Sequence, residues 1–172
     1  MRPRLALLIG IVVAAAGVRL FPHPANFDPI GGLALFAGAH LDERRWAFTA
    51  PLAAMLLSDA VIGFHSQMPV VYASFALMVC MGFVLRQRRG ALPVAGMALA
   101  ASALFFVTTN FGVWALDAMY PKSLAGLLAC YVAAIPFFGA TIAGNLFYAA
   151  VLFGGFALAE RRIPLFAPAA RP

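Results

Sequence analysis

The chain is a succession of apolar runs separated by short polar or proline-bearing breaks. A helix satisfies all its backbone groups inside a bilayer, and about 20 apolar residues suffice for one crossing. The pattern predicts a first helix over 5–20, preceded by Met-Arg-Pro-Arg, and a short second helix over 30–41 that ends at Asp42-Glu43-Arg44-Arg45. A third covers 46–64. The fourth starts at Pro69, a residue favoured in a first helical turn, and ends at Arg86-Gln87-Arg88-Arg89, while the fifth extends over 92–115.

The run 123–158 holds either one crossing or two. Its first part, 123–135, reaches only about 20 Å at 1.5 Å per residue, short of a hydrocarbon core of roughly 30 Å. A separate crossing there would also carry Glu160-Arg161-Arg162 to the side opposite the other arginine clusters. The expectation is therefore a short helix over 123–135 near the outer leaflet, broken at Pro136, and a sixth span over 140–159. The fold class expected is all-α, with six transmembrane helices in one domain, 1–163, and a loose tail, 164–172.

Composition removes the alternative of a soluble domain. Hydrophobic residues make up 64% and charged residues 10%, where a soluble domain carries roughly a quarter charged. The formal net charge of +6 does not indicate nucleic acid, because the basic residues are not gathered on a polar face. Arg2, Arg4, Arg44, Arg45, Arg86, Arg88, Arg89, Arg161, Arg162 and Arg171 stand in clusters between apolar runs. The positive-inside rule turns those clusters into an orientation with both termini cytoplasmic. The start also looks like a secretory signal with Ala14-Ala15-Ala16 as a cleavage site, but the spans that follow favour its retention.

Polar residues within spans are costly and face the bundle interior or a cavity. Ser58, Asp59, Tyr72, Thr108, Thr109, Asn110, Asn145 and Tyr148 are such residues, and most fall in the outer half. Each either hydrogen-bonds between helices or lines a pocket walled by the outer connections 21–29, 65–68 and 116–139. Asn110 and Trp114 share a helix face, as do Asn145 and Tyr148. Asp59 pairs with Arg19 or Lys122, binds substrate, or relays protons. Cys80 lies about 16 Å below the outer boundary, either as an apolar filler or as a thiol left accessible by the small Ala73 and Ala76. Cys130 lies too far from that depth for a disulfide.

His23, His40 and His65 lack metal-ligand spacing, and no CxxC occurs. No P-loop, GxGxxG or GxSxG is present, so energy for transport has to come from a partner or a gradient. Ala6, Gly10 and Ala14 repeat every four residues on helix 1, a spacing that admits another helix closely, within the bundle or from another molecule.

Pro24-Ala25-Asn26-Phe27-Asp28-Pro29-Ile30-Gly31, Leu57-Ser58-Asp59, Thr109-Asn110-Phe111-Gly112-Val113-Trp114 and the stretch from Cys130-Tyr131 to Pro136-Phe137-Phe138 carry a resemblance. They are similar to the small bacterial S-components of energy-coupling-factor (ECF) vitamin transporters, above all to the BtuM-type solitary S-components for cobalamin, vitamin B12. The resemblance covers nearly the whole chain. It implies an S-component-like bundle in the bacterial cytoplasmic (inner) membrane that captures cobalamin from the outer side. It also implies that Cys80 is the axial ligand to cobalt, with the vitamin bound base-off, and that loss of an opposite cyanide is a secondary activity. Asn26, Phe27, Asp59, Tyr72, Asn110, Trp114, Tyr120, Tyr131 and Asn145 are the residues expected to contact the vitamin. Helix 1 would dock on an ECF coupling module through Ala6, Gly10 and Ala14, with Gly10 departing from a strict alanine pattern, or would mediate self-association. Competing expectations are an S-component for another vitamin or precursor, a membrane-embedded cobalamin-processing enzyme, and a structural membrane protein that binds no small molecule.

Overall fold

A computed structural model describes residues 3–22 and 24–163, except for the side chains of 3–8, 12 and 16. Arg2, His23, the tail 164–172 and the side chains of Arg4 and Ala6 therefore lie outside the described residues. Every regular element among those described is helical: α1 Pro3–Arg19, α2 Ile30–His40, α3 Arg44–Ile62, α4 Met68–Val84 with a 3-10 turn Leu85–Gln87, α5 Ala91–Leu116 and α6 Leu124–Arg162. Pro69 sits in the first turn of α4, where its missing N–H costs nothing. Gly63, with φ 116°, follows the last residue of α3 and takes a conformation that a side chain would strain.

Four helices are long and apolar enough to cross a bilayer: Arg44–Ile62, Met68–Gln87, Ala91–Leu116 and Leu124–Arg162. Their outward faces carry Leu57, Val61, Leu77, Leu92, Val107 and Val151, all exposed. Such an exterior is at home in lipid rather than water, as in a multi-pass membrane protein.

The expected count of six spans changes at α2, and the expected bounds change at α6. With 11 residues, α2 reaches about 16 Å and does not cross a hydrocarbon core. All of its residues are buried, and it packs against α3, α4 and α6. A helix apolar on every side is one enclosed by protein, and hydropathy alone does not separate it from a helix enclosed by lipid. Glycines permit the enclosure. A Cβ on Gly38 would fall 2.9 Å from Gly82 Cα in α4, and one on Gly82 would fall 3.0 Å from Gly38 Cα. The ends of α2 are matched to its dipole. Asp28 Oδ1 accepts the Ile30 N–H at 2.9 Å, and Arg86 donates to the carbonyls of Gly38 at 3.1 Å and Leu41 at 2.8 Å.

The second correction concerns 123–159. The short outer helix and the sixth span are one 39-residue helix, α6, with Pro136 inside it. Proline removes one N–H and crowds the carbonyl four residues earlier, here that of Val132, and away from water the remaining backbone groups have no partner better than their helical one. Ser123 Oγ accepts the Gly126 N–H at 3.2 Å and caps the start.

The arginine clusters outside α1 share one end. Arg86 reaches the last turn of α2, α3 begins at Arg44, and Phe156 near the end of α6 stands 4.8 Å from the His40 ring. At the other end, called distal below, the α3–α4 and α5–α6 connections meet where Ser66 Oγ donates to Asp117 Oδ1 at 3.2 Å.

Candidate functional site

Because α2 fills only the half of the bundle nearer the arginines, α4, α5 and α6 enclose a space above its N-terminus. A cavity of about 210 Å³ lies there, lined by Asn26, Gln67, Thr109, Asn110 and Thr141 among the aromatic rings of Phe105, Phe106, Phe137 and Phe138. A recess of about 10 Å³ lies beneath it, lined by Asp28, Phe75, Met78 and Asn145, with Asn26, Phe105 and Thr141 common to both. Asn26 comes from the irregular stretch between α1 and α2 and has φ 63°, a left-handed conformation that asparagine tolerates better than most residues. Non-helical backbone at this depth is stable only against protein or a cavity.

The polar groups of the lining are unequally satisfied. Thr109 Oγ1 donates to the Phe105 carbonyl at 2.7 Å and Asn110 Nδ2 to that of Phe106 at 2.8 Å. Each donation to the preceding helical turn leaves an acceptor free of that bond. Asn145 Nδ2 donates to Ser102 Oγ at 2.9 Å, and its carboxamide occupies the space that a Cβ on Gly31 would need. Gln67 is different: both its Nε2 and its Oε1 are buried and have no hydrogen-bond partner among the described residues. Gly112 of α5 makes room for it, since a Cβ there would stand 2.9 Å from Gln67 Oε1. A buried carboxamide with neither atom paired carries a desolvation cost of a few kcal/mol.

Of the residues expected to contact substrate, Asn26, Asn110 and Asn145 line this cavity or its recess. Phe27 packs beside it on the rings of Phe147 and Tyr148 at 5.8 and 5.6 Å. Tyr131 OH donates to the Val107 carbonyl at 2.7 Å, and Trp114 Nε1 to that of Pro121 at 2.9 Å, so both fasten α6 and its connection to α5. Tyr120 lies half-buried in that connection and outside the lining. Asp59 and Tyr72 belong to another cluster. Asp59, 1% exposed, takes Arg19 Nη1 on Oδ1 at 2.5 Å and Tyr72 OH on Oδ2 at 2.9 Å, and Arg19 also reaches Ser58 Oγ. This ion pair ties α1 to α3 and α4, and of the three roles open to Asp59 it is the structural one that is occupied.

Cys80 is exposed, on the α4 face that also carries Ala73, Leu77 and Val84, and it lines neither the cavity nor the recess. Val71, Phe75 and Met78 are the α4 residues that do. Among the described residues no group of three His, Cys, Asp or Glu side chains is placed to hold a metal. The position does not fit a thiolate directed at a cargo in this cavity. Cys130 is buried, with its thiol 3.4 Å from the Asn110 carbonyl, and both cysteines are free.

Gln67, Thr141 and the phenylalanines were not among the expected contacts. Gln67 sits in the four-residue connection before Pro69, where only its place in an outer wall was legible. Thr141 became visible as a wall residue once α6 proved continuous. A larger apolar groove of about 350 Å³ separates α1 from α6, with Tyr148 the polar residue in a lining that includes Ile11, Val18, Leu152 and Phe156.

Comparison with curated proteins and with solved structures returns no match. Over residues 1–168 the chain matches, and belongs to, the family described as a family of unknown function, DUF6580.

Proposed function

We propose that this protein is a membrane-embedded binding component that takes up a small organic molecule from the distal side of the bundle, in the manner of a transporter S-component. The observation that carries the reading is the cavity's lining, in which Asn26, Gln67, Thr109, Asn110 and Thr141 stand among the rings of Phe105, Phe106, Phe137 and Phe138. A small-molecule site is concave, mostly apolar and furnished with a few convergent polar groups, and this cavity has that make-up. The arginine clusters at the opposite end favour a cytoplasmic position for that end, which turns the cavity toward the outside of a bacterial inner membrane. Gly10 and Ala14 of α1 are exposed, and a Cβ on Gly10 would meet nothing within 4 Å. That supports a contact of α1 with another molecule, a coupling module or a second copy, over packing inside the bundle.

Among vitamins, the geometry favours one much smaller than cobalamin. A corrin macrocycle exceeds a cavity of about 210 Å³, and Cys80 faces away from it. The test is to extract small molecules from protein purified out of cells grown in rich medium, comparing wild type with Asn110→Leu. One compound is expected to co-purify with wild type and to fall at least tenfold in the variant, equivalent to about 1.4 kcal/mol or more. Absence of any enriched compound overturns the reading. A coloured protein from cobalamin-fed cells whose spectrum changes in Cys80→Ala would replace it with cobalamin binding.

A further inference from the structure

We infer that the apolar groove between α1 and α6 holds one acyl chain of an anionic phospholipid from the leaflet on the arginine side, with the lipid phosphate at Arg162. The site is separate from the distal cavity and does not depend on what that cavity binds.

The groove is one leaflet deep. Pro29 belongs to its lining and immediately precedes α2, so the groove spans the same half of the bundle that α2 fills. Along α6 the lining runs from Tyr148 to Ala159, about 16 Å at 1.5 Å per residue, against half of a hydrocarbon core of roughly 30 Å. Tyr148 stands at the distal end. It is fixed there by Phe27, whose ring lies 5.6 Å away, and by α2, where a Cβ on Gly32 would fall 2.9 Å from Tyr148 Cβ.

The volume separates a lipid chain from a protein. Helix α1 packs on α3 and α2, and the space left on its α6 side is about 350 Å³. A helix with its side chains is about 10–12 Å across and would displace more than about 1,000 Å³ over the same length. The space equals the liquid share of roughly a dozen water-sized groups, the bulk of one methylene chain. Left empty, it would forfeit dispersion contacts along both walls. Acyl chains are as apolar as the lining, so burial alone does not select among lipids, and selection has to come from the head group.

Arg162 supplies that selection. Tyr148, Leu152, Gly155 and Ala159 follow one another along the groove at spacings of four, three and four, which is one face of a helix. Arg162, three residues further, continues the row and is exposed, as is Arg161 beside it. Glu160 is half-buried and follows Phe156 by one turn, on the row whose ring meets His40 of α2 at 4.8 Å. Basic side chains between helices at the charged side of a membrane hold anionic head groups, and a guanidinium pairs with phosphate through two parallel N–H donors.

Phosphatidylglycerol and zwitterionic phosphatidylcholine with identical chains are the probes, titrated into the full-length protein in mild detergent and read by native mass spectrometry. Wild type is expected to hold one phosphatidylglycerol at least about fivefold more tightly than phosphatidylcholine. Gly155→Leu fills the groove, since a Cβ there meets nothing within 4 Å, and should lower retention of both lipids by a similar factor. Gly154→Leu, the same change at an exposed residue outside the lining, should leave retention unchanged. Arg162→Gln should erase the preference between the lipids while a chain is still retained. Equal retention of the two lipids by wild type overturns the inference, as does retention by Gly155→Leu equal to that of wild type. A lipid-free dimer that Gly155→Leu dissociates would give the groove to a second copy of the chain and overturn it too. Should Gly155→Leu not fold, Ala159→Leu fills the same groove nearer its mouth and decides in its place.

Discussion

Gln67 and Asp59 are both polar groups hidden in an apolar bundle, and they differ in whether the protein itself provides a partner. Asp59 has Arg19 and Tyr72, whereas the carboxamide of Gln67 has none among the described residues. Substitutions should separate the two roles. Arg19→Ala leaves the Asp59 carboxylate buried without its counter-charge and is expected to lower stability by about 3–5 kcal/mol, measurable as a loss of midpoint in thermal unfolding in detergent. The double change Arg19→Met with Asp59→Leu should recover most of that loss. Gln67→Leu is expected to unfold no earlier than wild type, because it removes an unsatisfied group. Part of this was legible from the sequence. Asn110 and Asn145 stand out as amides inside apolar runs, and a pairing of Asp59 with Arg19 was one of its open roles. Cys80, Tyr131 and Trp114 lie outside the lining of the cavity and its recess; the ligand role of Cys80 was implied by the resemblance, and depth along a helix leaves a residue's direction open.

The helices themselves were read closely where both flanks are polar: 46–64 against Arg44–Ile62, and 92–115 against Ala91–Leu116. Two elements escaped for physical reasons. Pro136 is a helix breaker in water, but in apolar surroundings it interrupts one hydrogen bond without ending the helix. In α2, high hydropathy signals burial without saying whether lipid or protein does the burying. Its dependence on protein can be tested at its C-terminus. Arg86→Met removes the donor from the carbonyls of Gly38 and Leu41 and is expected to cost about 1–3 kcal/mol. Hydrogen exchange should show the loss as faster exchange in 30–40, with the distal halves of α5 and α6 unchanged.

At the scale of the whole molecule, orientation is the property on which the function turns. In a background of Cys80→Ser and Cys130→Ser, a thiol at the exposed Ser66 is expected to react with a membrane-impermeant maleimide on intact cells. One at the exposed Gln87 should react only after permeabilisation. The reverse pattern would turn the cavity toward the cytoplasm and remove uptake from the outside as its use. The enclosure of α2 has a further consequence, for biogenesis. Eleven residues are too few to stay inserted as a span when synthesised and too few to hold as an isolated helix. Apart from Asp28, the groups named as securing this segment are made later: Gly82 on α4 and Arg86 in the turn after it, then Asn145, Tyr148 and Ala149 on α6. The middle of the protein is thus assembled last, and a chain cut before α6 has translated its core without the means to seat it.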